Sequence, residues 1–259
     1  MGAGIAKAGH MDLEADLLEQ WLAKGYHGEM GYMANHFEMR VDPTKLVPGA
    51  KSVISLSYNY YPVEKEAKAE AKEEETPRLP LNPLKGTSLT THNSQLTTDD
   101  SRLTPHDSKL TTHNSQFKIS RYAYGEDYHK VVRRKLKALV AELKKEIGDF
   151  NARVFVDSAP VMERDWAKRS GQGWIGKNTL LIHPKKGSYF FLAEIILDVE
   201  FEYDHPMRDH CGTCTRCIDA CPTEAISPEG YVLDGSKCIS YLTIELKSQI
   251  PESFKGQME

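Results

Sequence analysis

Apolar residues recur at helical spacing over residues 11–25, where Leu13, Leu17, Leu18, Trp21 and Leu22 share a face and Gly25 closes the run. The first element expected is therefore an amphipathic helix. Residues 52–60 change period, and Ser52-Val53-Ile54-Ser55-Leu56-Ser57-Tyr58 reads as a strand stopped by Pro62. A second helix is expected after Tyr128, with Val132, Leu136, Leu139, Val140, Leu143 and Ile147 on one face and Asp127 as its N-cap. Ala152 to Val156 is short and rich in β-formers, and it runs into Asp157-Ser158-Ala159-Pro160. Val161 to Ser170 reads as a helix closed by Gly171, and two strands follow, Thr179 to His183 and Ser188 to Val199. The last is almost continuously apolar through Phe190, Phe191, Leu192, Ile195, Ile196 and Leu197, as a strand covered on both faces would be. Between that helix and those strands, Gly171-Gln172-Gly173-Trp174-Ile175-Gly176-Lys177-Asn178 is a glycine-punctuated loop whose backbone could lie close to a flat ligand.

Two stretches break the pattern. Residues 64–75 form a Lys, Glu and Ala tract with too few apolar residues to pack, read as a solvated helix or linker. From Leu89, Leu96, Leu103 and Leu110 a heptad close to Leu-Thr-Thr-His-Asn-Ser-Gln recurs. One leucine per heptad gives no two-position seam, and the Thr, Asn, Asp and Ser between favour turns, so a coiled coil is rejected in favour of disorder or a loose surface excursion. His92, His106 and His113 have no neighbouring Cys or Glu cluster to complete a metal site and are read as spacers.

The sharpest chemical signal is Cys211, Cys214, Cys217 and Cys221 followed by Pro222, a C-x2-C-x2-C-x3-C-P run that suits a 4Fe-4S cluster and single-electron transfer. In such runs the fourth Cys usually serves a second cluster, and Cys238 adds one more thiolate. A structural zinc site is the alternative, but zinc takes its ligands in two separated pairs. An odd count of five Cys and no signal peptide argue against a disulfide framework and for the cytoplasm.

Net charge of −4, pI near 6.2 and mean hydropathy of −0.51 give no general attraction to nucleic acid. No apolar run approaches the roughly twenty residues a membrane span needs, so no membrane partner is expected. Lys130, Arg133, Arg134, Lys135 and Lys137 make one basic helix face, which by itself reads as solvated.

The order His27-Gly28-Glu29-Met30-Gly31-Tyr32-Met33, Arg121-Tyr122-Ala123-x-Gly125-x-Asp127-Tyr128-His129, Phe155-Val156-Asp157-Ser158-Ala159-Pro160 and Gly173-Trp174-Ile175-Gly176-Lys177-Asn178 resembles the epoxyqueuosine reductase family. The match continues through the cysteines into Cys238-Ile239-Ser240-Tyr241-Leu242-Thr243-Ile244-Glu245. It spans nearly the whole chain except residues 66–117, which look like an insertion the family does not need. The resemblance implies an α+β fold: a nitroreductase-like cobalamin-binding domain in two parts, residues 1–65 and 118–205, then a partial ferredoxin-like 4Fe-4S domain, residues 206–259. It further implies reduction of the epoxide of epoxyqueuosine at the wobble position of tRNA to the alkene of queuosine. The clusters would feed cobalamin, and a donor such as ferredoxin or flavodoxin would reload them. Such chemistry needs a cofactor, since side chains alone supply no reductant of that kind.

Carried over by residue, Asp157 would be the proton donor, a role that demands burial to raise its pKa. Its plain alternative is a turn aspartate before the next helix. Arg121, Leu181, Leu192, Leu242, Lys177 and Asn178 would line cobalamin, mostly through backbone and amide contacts, although each leucine would be ordinary core elsewhere. Asn35 stands where many members have Arg, so a charged contact would be missing. Cys211, Cys214 and Cys217 would bind one cluster, Cys221 and Cys238 the other, which leaves both ligand sets incomplete. The family's second cysteine run would lie beyond Glu259, so the chain looks cut short there, and also at its start, where relatives have a preceding helix. Two alternatives stand beside the reductase: a non-catalytic remnant, and another cobalamin and iron–sulfur reductase such as a relative of the reductive dehalogenases.

Overall fold

The structure is a computed structural model that describes residues 2–60, 121–123 and 125–257. The charged tract and the heptad repeat lie outside the described residues. The chain divides into two units, residues 1–60 with 126–259, and residues 61–125. The second is described only at its end, where Arg121–Ala123 makes one 3-10 turn before Gly125.

The first unit begins with a strand the periodicity did not reveal, β1 (Gly2–Lys7). Its Gly and Ala are poor strand formers, and position decides instead. A Cβ at Gly4 would fall 2.0 Å from the Ser170 carbonyl, so only a minimal residue lets β1 lie in the sheet. Helix α1 (Asp12–Ala23) follows as expected, but its buried residues are Glu14, Ala15 and Leu18, while Leu13 and Leu17 are exposed. Glu14 tolerates burial because Arg169 reaches its carboxylate at 2.7 Å. α2 (Phe37–Val41) packs Val41 and Phe37 against Ala15, Leu18 and Trp21.

β2 (Ser52–Asn59), α3 (Tyr128–Ile147), β3 (Ala152–Phe155) and α4 (Glu163–Arg169) come next, then a hairpin of β4 (Trp174–Ile175) and β5 (Leu181–Ile182), then β6 (Phe190–Leu197). The main sheet has the order β1-β2-β6-β3, with every neighbour antiparallel. Both faces of the sheet are covered. Ile54, Leu56, Ala193, Ile195 and Leu197 pack against Val132 and Leu136 of α3. Val53 and Ile196 pack on the other side with Trp166 of α4, Leu46, Val47 and Met11. Asp127 does cap α3, its Oδ1 accepting the His129 N–H at 3.0 Å.

Residues 206–257 contain little regular structure: α5 (Arg216–Asp219), a bridge between Ile226 and Leu233, 3-10 turn Gly235–Lys237, π-helical turn Tyr241–Glu245 and α6 (Glu252–Lys255). Their buried hydrophobic residues are Ala225, Tyr241 and Leu242. They lean on the first half instead. Tyr241 packs where Gly28, at φ +53°, leaves room: a Cβ there would fall 2.6 Å from the phenol ring. The Glu29 N–H donates to the Tyr241 hydroxyl, the Trp21 indole N–H to the Leu233 carbonyl, and the Ser236 N–H to the Tyr26 carbonyl.

Candidate functional site

β3 ends at Phe155, and two residues later the chain turns so sharply that Asp157 takes φ +56°, the left-handed region. Three short backbone bonds tie the turn: Ser158 N–H to Val156 O, Ala159 N–H to Asp157 O and Val161 N–H to Ala159 O, at 2.7, 2.8 and 2.8 Å. The aspartate thereby projects toward the start of α3. There its Oδ2 accepts the Tyr128 hydroxyl at 2.5 Å and lies 3.1 Å from His129 Nε2. The other ring nitrogen of His129 is 2.8 Å from Asp127 Oδ1, so the imidazole bridges two carboxylates. That contact to His129 draws Asp127 below its ordinary carboxylate range. Tyr128 also lies flat on Phe191, 4.0 Å between centroids and 3° between planes.

Asp157 lines a cleft of about 640 Å³ together with Tyr32, Met33, Asn35, His36, Arg40 and residues 158–165. Sequence placed Asp157 and Asn35 in one site, and the structure brings both to this wall. The burial demanded of Asp157 is not met in the described residues: its side chain is 57% exposed. The carboxyls that burial does raise lie just behind it. Burial pushes Glu163 up to about 7, and it pushes Asp165 up to about 6 with help from the Glu14 charge. Glu194, fully buried in β6, is raised well above its ordinary range by burial and by the nearby Glu163 charge. Sequence reasoning passed over all three. The signal was there for Glu194, the single acid in the apolar run Phe190–Leu197. Tyr128 and His129 were quoted in a motif but given no role.

The other expected cofactor residues scatter. A Cβ at Gly173 would fall 2.3 Å from the Ile182 carbonyl, and one at Gly176 would fall 2.5 Å from Ile182 Cδ1. These glycines let β4 and β5 close on each other, a packing reason that the sequence reading had assigned to a ligand. Asn178 Oδ1 accepts the Leu180 N–H in the hairpin turn. Lys177 reaches the cysteine segment, where its ammonium donates to the Gly212 carbonyl at 2.8 Å and its stem covers Gly230. Leu181 and Leu242 are buried, and Leu192 is half-buried in β6 opposite Ser57. Of Arg121 only the backbone turn is described.

Cys211, Cys217, Cys221 and Cys238 are half-buried free thiols and Cys214 is exposed. Among the described residues no three His, Cys, Asp or Glu side chains converge as metal ligands do. The local backbone nonetheless favours thiolate. Burial tends to raise the Cys221 thiol, but the N–H groups of Ala225 and Ile226 and the Thr223 hydroxyl outweigh it and hold the thiol below its ordinary value.

An all-antiparallel sheet carrying a Tyr-His-Asp cluster, followed by a docked segment with the C-x2-C-x2-C-x3-C-P spacing, is the arrangement of an iron–sulfur oxidoreductase. The profile described as "4Fe-4S double cluster binding domain" matches residues 210–259, and that described as "Epoxyqueuosine reductase QueG, DUF1730" matches residues 40–79 and 97–158. The epoxyqueuosine reductase of Leadbetterella byssophila is 51% identical over 256 residues, covering 99% of this chain and 69% of its own length. A crystal structure of epoxyqueuosine reductase with an epoxyqueuosine-modified tRNA-Tyr stem loop superposes with a TM-score of 0.70 at 30% identity, covering 98% of this chain and 56% of that one. The Bacillus subtilis enzyme, solved with its catalytic aspartate loop swung out of the active site, gives a TM-score of 0.71 at 29% identity over 99% of this chain and 56% of that one. The chain thus spans about two thirds of its curated relative and about half of the solved chains. It belongs to the epoxyqueuosine reductase family.

Proposed function

We propose that this chain carries the reductive half of queuosine formation: the epoxide of epoxyqueuosine in tRNA takes up two electrons and two protons, both C–O bonds break, an alkene forms and the oxygen leaves as water. The observation that carries this reading is the Asp157 carboxyl, held by Tyr128 and His129 at the wall of the 640 Å³ cleft. An acid on the leaving oxygen is what epoxide opening asks of a protein. His129, between Asp127 and Asp157, is placed to return a proton to Asp157 after each turnover. Filling the cleft with a large ligand would take Asp157 out of water and supply the burial its role requires.

Cobalamin is the ligand proposed there, in a domain of the nitroreductase-like kind. The residues fit in one respect: the cleft combines apolar Met33, Pro160 and Met162 with the amide of Asn35. Asn35 and Asp157 line the cleft and are the residues proposed to hold it; the resemblance adds Lys177, Asn178, Leu181, Leu192 and Leu242, none of which lines this cleft. When bound, cobalamin supplies the electrons that reach the strained ring. The five thiols would ligate 4Fe-4S clusters, Cys211, Cys214 and Cys217 one and Cys221 and Cys238 the other, reloaded by a small cytoplasmic carrier such as ferredoxin or flavodoxin.

Support for an RNA substrate comes from a second groove of about 560 Å³ that shares His36, Ser158, Ala159 and Pro160 with the cleft. Lys45, Arg133, Lys137 and Arg153 line it without a carboxylate among them. On a chain of net charge −4, that local excess suits the phosphates flanking a nucleotide placed at Asp157. The test is expression of the chain in cells that lack epoxyqueuosine reduction, followed by nucleoside analysis of their tRNA. Queuosine is expected, and persisting epoxyqueuosine would overturn the reading.

A further inference from the structure

Asp157 occupies a backbone conformation that costs a non-glycine residue roughly 1–3 kcal/mol, so something must hold it. The short bonds of the turn are local, and each joins residues only two apart. Among the described residues, the side chain that grips the Asp157 backbone is Glu163, in the first turn of α4, whose Oε1 accepts the Asp157 N–H at 2.6 Å. α4 is in turn anchored through Trp166, 1% exposed, which packs among Val53, Phe155 and Ile196 of the sheet. Glu194 lies on that same sheet face, in register with Ser55 on one side and Phe155 on the other. Its Oε1 is 3.4 Å from the Ser55 hydroxyl, and its Oε2 has no partner among the described residues.

We propose that Glu163 is the positioning residue that latches the Asp157 turn, its carboxylate clamping the Asp157 amide so that the aspartate side chain stays aimed at Tyr128 and His129. The latch joins a turn to a helix the core cannot release, so the turn opens by breaking one short bond between side chain and amide and leaves the sheet intact. Behind it, burial and then the nearby Glu163 carboxylate push Glu194 well above its ordinary range. The groups that face Glu163 are Asp157, whose amide favours its ionised form and whose charge opposes it, Arg164, His129 and Glu194. The inference rests on reading Asp157 as the group that delivers the proton. The latch itself is a property of the ligand-free chain.

Hydrogen exchange of the full chain, read on the peptide that covers residues 156–161, tests it. Glu163→Ala removes the acceptor and Glu163→Asp withdraws it by one methylene. Both should speed exchange of that peptide about tenfold or more while the strands β2 and β6 keep their protection. Glu163→Gln keeps an acceptor oxygen at the same reach and should stay within about threefold of the parent chain. Where the parent converts an epoxyqueuosine stem loop, Glu163→Ala should lower kcat with KM within about twofold, and Glu163→Gln should recover most of the loss. Exchange in Glu163→Ala equal to the parent overturns the latch, as does exchange in Glu163→Gln as fast as in Glu163→Ala. Should Glu163→Ala lose protection throughout the sheet, the Asp and Gln variants decide between the same two outcomes. A parent chain without turnover would count against the proposed function, and the exchange data would still decide the latch.

Discussion

The two halves of the first unit are held together in different ways. Residues of the sheet half bury a continuous core, with Met11, Val53, Leu136, Ile195, Ile196 and Leu197 all inaccessible or nearly so. The cysteine half buries Ala225, Tyr241 and Leu242 among its hydrophobic residues, and is fixed by individual hydrogen bonds with Trp21, Tyr26, Glu29 and Lys177. The sheet half folds on hydrophobic burial, a diffuse force proportional to area. The cysteine half borrows a surface, and ligation of iron by its thiolates would add folding free energy that its own side chains do not provide. The Asp157 turn belongs to the first kind of structure and the cysteine segment to the second, so the proposed proton donor is preset while the proposed redox segment depends on its docking.

The largest effect should come from opening the core. Ile195→Ala removes a side chain with no exposed surface between α3 and the centre of the sheet, and should destabilise the chain by about 3–4 kcal/mol in urea unfolding. A loss below about 1 kcal/mol would mean the two halves share one loose packing and the contrast fails. Gly28→Ala should act on the other half alone. Its φ of +53° and the Tyr241 ring 2.6 Å from the added carbon together should cost about 2 kcal/mol. Limited proteolysis should then cut within residues 206–257 while the sheet survives, and equal cutting in both halves would show that the docking is not local.

That contact between Gly28 and Tyr241 also shows what sequence could and could not convey. Both residues stand in motifs quoted for the family likeness, 213 positions apart, and nothing in their spacing says that one makes room for the other. Periodicity found β2, α3 and β6 to within a few residues because burial on a sheet or helix face leaves a repeat of two or 3.6. It missed β1, whose Gly4 is selected by the closeness of Ser170 and carries no strand propensity. It overcounted the buried face of α1, where Leu13 and Leu17 meet solvent and Glu14 goes inside beside Arg169. In the site, the Asp157 turn was legible because its residues are contiguous. Glu163 was not: its role is a bond from a side chain on one element to an amide on another, and a charged residue in a helix's first turn has an ordinary electrostatic reason to be there.

The smallest effect is one of pH, and it should carry opposite signs in the two halves. In the sheet half Glu163 rises from 4.5 to about 7 and Asp165 from 3.8 to about 6, and Glu194 shifts in the same direction, all chiefly through burial. Between the ordinary and the raised values the native state holds more protons than the unfolded one, so stability falls as pH rises across roughly 4 to 7. Glu163→Gln should flatten that slope. In the cysteine half Cys221 lies below its ordinary 9.0, because the bonds from Ala225, Ile226 and Thr223 outweigh the opposing effect of burial. A depressed acid is stabilising above its unfolded pKa, so this segment should tighten as pH rises toward 9. Hydrogen exchange at pH 5.5 and pH 8, corrected for intrinsic rates, would separate the two. Protection of β6 should decline relative to that of residues 221–226 on going to the higher pH, and parallel changes in both would mean that the halves open as one cooperative body, whatever the difference in how they are packed.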